Sequence, residues 1–150
     1  MDSLFEEESI AKIQERIAAL APEDCPLWGR MNAAQMLAHC TEVLRNGIGD
    51  TQLPRVWYGY LLRPLLKHRY YNDQPFKSRN LKTPASFIVT GNPSFEEEKA
   101  RLLSWIHRFY ERAGDGKPMG RHPILGSFTP QQWAVGQYKH LDHHLRQFGH

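Results

Sequence analysis

Residues 129–149 read TPQQWAVGQYKHLDHHLRQFG, and this stretch decides the fold. Thr129 stands where a helix cap belongs, Pro130 suits the first helical position, and Gln132 completes a capping box. Gly149 is a stop signal. At about 100° per residue, Ala134, Tyr138, Leu141, Leu145 and Phe148 share one apolar stripe. His140 and His144 lie one turn apart on the flank of that stripe, with Trp133 and Gln137 beside them. His143 is expected to point roughly the opposite way from the stripe. Two inward-leaning histidines four residues apart have the spacing of a metal-binding pair.

Three further segments repeat the helical period. Ser3 to Leu20 carries Ile10, Ile13, Ile17 and Leu20 on one stripe, with Ser3 and Glu6 as a capping box. Asn32 to Asn46 starts on an Asn32–Gln35 box and stops at Gly47. Its apolar face holds Ala33, Met36, Cys40, Val43 and Leu44. His39 falls about 95° from the centre of that face, on its edge, with Gln35, Glu42 and Asn46 on the same side. Ser94 to Ala113 begins on a Ser94–Glu97 box and presents Leu102, Leu103, Trp105, Ile106, Phe109 and Tyr110. His107 lies among basic residues on its solvated side.

Between these helices the chain is less regular. Arg55 to Arg69 is apolar and aromatic, a helix with Pro64 kinking it or opening a new turn. Tyr70 to Asn92 is a long, proline-bearing loop of the kind that covers sites, and Phe87 to Val89 suits a short extended piece. A second irregular stretch, from Ala113 to Phe128, contains His122-Pro123. There His122 has either a structural role or one supporting the final helix. Four or five amphipathic helices with almost no strand signal predict an all-α four-helix bundle, with a short extra helix and long loops, as one domain over 1–150.

Composition narrows the class. The chain has 150 residues, 41% hydrophobic and 23% charged. No signal peptide and no transmembrane span are expected, and its two cysteines, Cys25 and Cys40, are too few for a disulfide framework. A cytoplasmic protein is expected. Seven basic residues and one acid lie between Arg55 and Lys82, so the middle of the chain favours an anionic ligand or surface. No recognition motif accompanies that charge, and nucleic acid is not expected as a partner. Neither a nucleophile elbow nor a phosphate-binding glycine loop is present.

The chemistry on offer is therefore imidazole. His39, His140 and His144, drawn from two helices, can hold one face of a divalent metal and leave positions open for water or substrate. Glu42, one turn beyond His39, is the expected outer partner, with His122 and Gln137 as further candidates. Cys40 beside His39 is a core residue, because adjacent helical positions do not face each other.

MNAAQMLAHC (31–40), HPILGSFTPQQW (122–133) and YKHLDHHLRQFG (138–149) resemble the DinB/YfiT-like superfamily of metalloenzymes, most closely a branch known only as a domain of unknown function. The resemblance spans nearly the whole chain. It implies an up-down-down-up bundle, often dimeric, with nickel or zinc on three histidines, here His39, His140 and His144. It also implies a transferase or hydrolase acting on a small molecule, and for some relatives a low-molecular-weight thiol as cosubstrate. The basic, aromatic stretch from Arg55 to Lys82 departs from those relatives. The competing expectation is a non-catalytic dimeric bundle that serves binding or stress response.

Overall fold

The computed structural model describes residues 2–76, 85–112 and 115–150. Helix α1 runs Glu7–Ala19, α2 Ala33–Gly47, α3 Gly59–Tyr71, α4 Phe95–Glu111 and α5 Pro130–Gln147. A 3-10 turn, Ala85–Phe87, precedes α4. Strands β1, Arg121–His122, and β2, Gly126–Ser127, form a small antiparallel hairpin before α5.

The directions of the helices follow from which residues meet. Between α2 and α5, His39 meets His140, the Val43 carbonyl meets Gln137, and Gly47 lies against Trp133, so the two run antiparallel. Between α2 and α4, Glu42 pairs with Arg101, Arg45 lies over Trp105 and Gly47 lies against Phe109, so these run parallel. The Leu4 amide bonds the Ala134 carbonyl and Arg16 pairs with Asp142, so α1 runs with α5. The four helices α1, α2, α4 and α5 therefore form an up-down-down-up bundle. Its parallel middle pair requires a long crossover, and that crossover carries α3. Lys139 of α5 clamps the end of α3, donating to the Arg69 carbonyl at 2.6 Å and to Asn72 Oδ1 at 2.8 Å. Ile13, Ile17, Met36, Leu37, Leu44, Leu102, Ile106, Phe109, Trp133, Leu141 and Leu145 fill the shared core. Trp133 is wholly buried and donates its indole N–H to the Gly120 carbonyl, which ties the hairpin to the bundle.

The capping boxes at Asn32–Gln35 and Thr129–Gln132 form as expected. Two others do not. The first helix begins at Glu7 rather than near Ser3, because Leu4 is fully buried and its amide is taken by α5, which bends the chain there. The Ser3 hydroxyl instead accepts from the Phe5 amide. Ser94 caps α4 in position, but its side chain makes no capping bond. Helix α3 starts later and ends later than the sequence suggests and contains Pro64 within it. Phe87 is in a 3-10 turn, not an extended piece. The side chains of Tyr60, Leu62 and Leu65, the loop residues 77–84 with Lys77, Arg79 and Lys82, and the expected stop at Ala113–Gly114 lie outside the described residues. No helix among the described residues is long and apolar enough to cross a membrane.

Candidate metal centre

The antiparallel pairing of α2 and α5 brings His39 onto His140 and His144. The ring centroids are 5.0 Å apart for His39 and His140, 4.9 Å for His39 and His144, and 4.6 Å for His140 and His144. One ligand nitrogen from each lies within 4.8 Å of the others. His39 and His144 are buried, and His140 is half-buried.

The outer nitrogens fix the tautomers. His39 Nδ1 lies 2.9 Å from the Phe87 carbonyl, which can only accept, so Nδ1 carries the proton and Nε2 offers a lone pair. His144 Nδ1 lies 2.8 Å from Gln147 Oε1. The amide nitrogen of that glutamine donates to the Trp28 carbonyl, so its oxygen is the acceptor and His144 Nε2 is also free to ligate. His39 Nε2 and His140 Nε2 stand 3.1 Å apart. With metal–nitrogen bonds of about 2.0–2.1 Å, neighbouring donors in a tetrahedral or octahedral shell lie about 2.9–3.4 Å apart, so this pair already has ligand spacing.

Burial keeps the cluster neutral. It pushes His144 down to about 3, lowers His39, and lowers His140 well below its ordinary value, helped by its two histidine neighbours. Neutral imidazoles are the ligating form. The donor set therefore suits a divalent ion, with one pair already at ligand spacing, and three imidazoles around an ion would leave coordination positions open.

The other expected residues are placed differently. The Glu42 carboxylate is held by Arg101 at 2.9 Å and Arg45 at 3.0 Å, which corrects its expected role as partner to His39. The Phe87 carbonyl fills that role instead. Gln137 is fully buried and donates from Nε2 to the Val43 carbonyl at 3.2 Å. His122 accepts at Nδ1 from the Ile124 and Leu125 amides, both at 3.1 Å, so it organises the hairpin turn. Its ring lies among Tyr70, Phe87, Phe128 and Trp133, and burial pushes it down to about 4. His143 makes contacts of its own on its side of α5. It is half-buried between Trp28, 5.7 Å away, and Phe76, 5.9 Å away, because the loop before α2 and the segment after α3 fold over that side of α5. Trp28, Phe76, His143 and Arg146 line a cavity of about 550 Å³ there. Cys40 is a buried core thiol pushed upward by burial, and His107 is exposed beside Glu111, both as the sequence suggests.

Sequence reasoning missed Phe87, Trp28 and Gln147. Gln147 carried a usable signal, since it lies one turn beyond His144. Phe87 and Trp28 act through main-chain carbonyls, for which residue identity gives no sign.

Over residues 4–150 the chain matches the family described as "Protein of unknown function (DUF1569)", and it belongs to that family. No curated protein and no solved structure gives a significant match.

Proposed function

We propose that this DUF1569 chain is a divalent-metal enzyme of the DinB/YfiT-like type, holding nickel or zinc on His39, His140 and His144. The observation that carries the reading is the convergence of three neutral imidazoles, two of them with outer hydrogen bonds that leave Nε2 facing the cluster. Bound there, a divalent ion supplies Lewis acidity to a thiol or a water directed at a small electrophilic substrate. The chain's own contribution is orientation and desolvation. Phe87 and Gln147 hold two rings in place, and the surrounding core keeps all three imidazoles unprotonated. The reading includes a cytoplasmic homodimer that meets through α3 and the turn before it, where Leu61 of the helix and Trp57 of the turn are 72% and 75% exposed.

The test is metal content by elemental mass spectrometry on untagged protein, with His144→Ala and His143→Ala alongside. Near-stoichiometric metal in the wild type and in His143→Ala, but not in His144→Ala, supports the site. A panel of electrophiles and esters, with and without cellular thiols, then tests catalysis. Equal turnover by metal-free and loaded protein would sink the enzymatic reading.

A further inference from the structure

The three histidines differ in how their outer nitrogens are held. His39 Nδ1 has the Phe87 carbonyl, and His144 Nδ1 has Gln147. His140 Nδ1 is buried with no hydrogen-bond partner among the described residues. Two more buried atoms lack a partner, one on α5 and one on α3, which packs against it. Gln137 Oε1, three residues before His140, is buried and unpartnered. So is the hydroxyl of Tyr70, a residue only 7% exposed.

The position of Tyr70 is built into the sequence of α5. Its ring lies against Gly136, one turn before His140. A Cβ at that position would fall 1.9 Å from Tyr70 Cε1 and 2.7 Å from Cζ, the carbon that bears the hydroxyl. Only glycine allows the phenol this close. Helical side chains lean toward the N-terminus, so the His140 ring leans toward the Gly136 turn that the phenol covers.

The three orphans are chemically complementary. With Nε2 turned to a metal, His140 Nδ1 carries a proton and becomes a donor. A phenol both accepts and donates, and an amide oxygen accepts. We propose that Tyr70 and Gln137 are the positioning residues for His140. Its Nδ1–H donates to the Tyr70 oxygen, and the Tyr70 O–H donates to Gln137 Oε1, directly or through one buried water. Gln137 Nε2 already donates to the Val43 carbonyl and anchors the chain on α2. The proton balance is closed, because the proton leaves His140 Nε2 and returns at Nδ1. The inference rests on the three-histidine metal reading and supplies the one outer bond that reading lacks.

The experiment uses full-length protein, zinc as probe, and the variants Tyr70→Phe and Gln137→Leu. Zinc affinity is measured by chelator competition, fold stability by denaturation of the metal-free protein, and the His140 tautomer by ring ¹⁵N chemical shifts. Loss of an outer partner costs about 10- to 100-fold in metal affinity. Tyr70→Phe should show that loss, while its metal-free denaturation midpoint stays unchanged or rises, because the variant removes an unpaired buried hydroxyl. In the zinc-loaded wild type, His140 Nδ1 should carry the proton, and its shift should move in Tyr70→Phe. Gln137→Leu reads the same chain should Tyr70→Phe fold poorly. Zinc affinity within twofold of wild type in Tyr70→Phe would overturn this proposal alone. A wild type that binds no zinc would overturn the metal reading beneath it as well.

Discussion

Replacing Gly136 by alanine tests whether the fit of Tyr70 against α5 governs this end of the bundle. Two effects oppose each other. Alanine in a helix interior is favoured over glycine by about 1 kcal/mol. Against this, the new methyl would stand 1.9, 2.3 and 2.7 Å from Tyr70 Cε1, Cδ1 and Cζ. Carbon atoms pack at about 3.5 Å, so the ring must retreat by about 1.5 Å. It has little room to do so. It stacks on Phe128 at 5.0 Å and meets the edges of Trp133 and His122 at 5.8 and 5.6 Å. The Arg69 and Asn72 groups on either side are held by Lys139. Overpacking in such a setting costs about 1–3 kcal/mol, and this contact belongs at the upper end. The net expectation is a loss of about 2 kcal/mol in urea denaturation of metal-free protein. In a Tyr70→Ala background the sign should reverse, with Gly136→Ala stabilising by about 1 kcal/mol, and the double-mutant cycle isolates the contact. A Gly136→Ala protein as stable as wild type would mean that the Tyr70 ring is free to move off α5.

Acid should destabilise the metal-free protein earlier than carboxylate protonation alone would. His39, His122, His140 and His144 all lie below their ordinary value when folded, so between about pH 6.5 and 4 the unfolded chain binds more protons and stability falls with falling pH. Each fully depressed histidine adds up to about 1.4 kcal/mol per pH unit, and a urea midpoint that stays flat from pH 7 to 5 would contradict the burial of these rings. For the dimer, sedimentation at micromolar concentration should show two chains in the wild type and one when Trp57 and Leu61 are changed to glutamate. A monomeric wild type would remove the interface.

Much of the bundle was legible in the sequence because its helices are amphipathic with local stop and start chemistry. Asn32 with Gln35 and Thr129 with Gln132 form their boxes, since nothing distant competes for those side chains. Ser3 with Glu6 fails where a distant contact wins: the Leu4 amide goes to Ala134, more than a hundred residues away. The candidate histidines were legible from face and spacing, and the antiparallel crossing of α2 and α5 brings their nitrogens together. Their partners were not. Glu42 had the right position along α2, but Arg101, on another helix, claims its carboxylate. The turn of His143 toward Trp28 and Phe76 depends on two segments that pattern analysis treats as loops. The β-hairpin at 121–127 is too short to alternate and left no period to read.

The carbonyls of Phe87 and Trp28 hold two of the three histidines, the second through Gln147. Every amino acid at positions 87 and 28 carries that same oxygen. Point substitutions there would report on the rings, since Phe87 is buried edge-on to His39 and Trp28 lies beside His143, and would leave the two oxygens untested. What these positions cannot absorb is a change in the path of the chain. Single-residue insertions or deletions beside them would shift the carbonyl away while keeping the three histidines in the sequence, so a genetic map drawn from indels would mark two supports that one drawn from substitutions would miss.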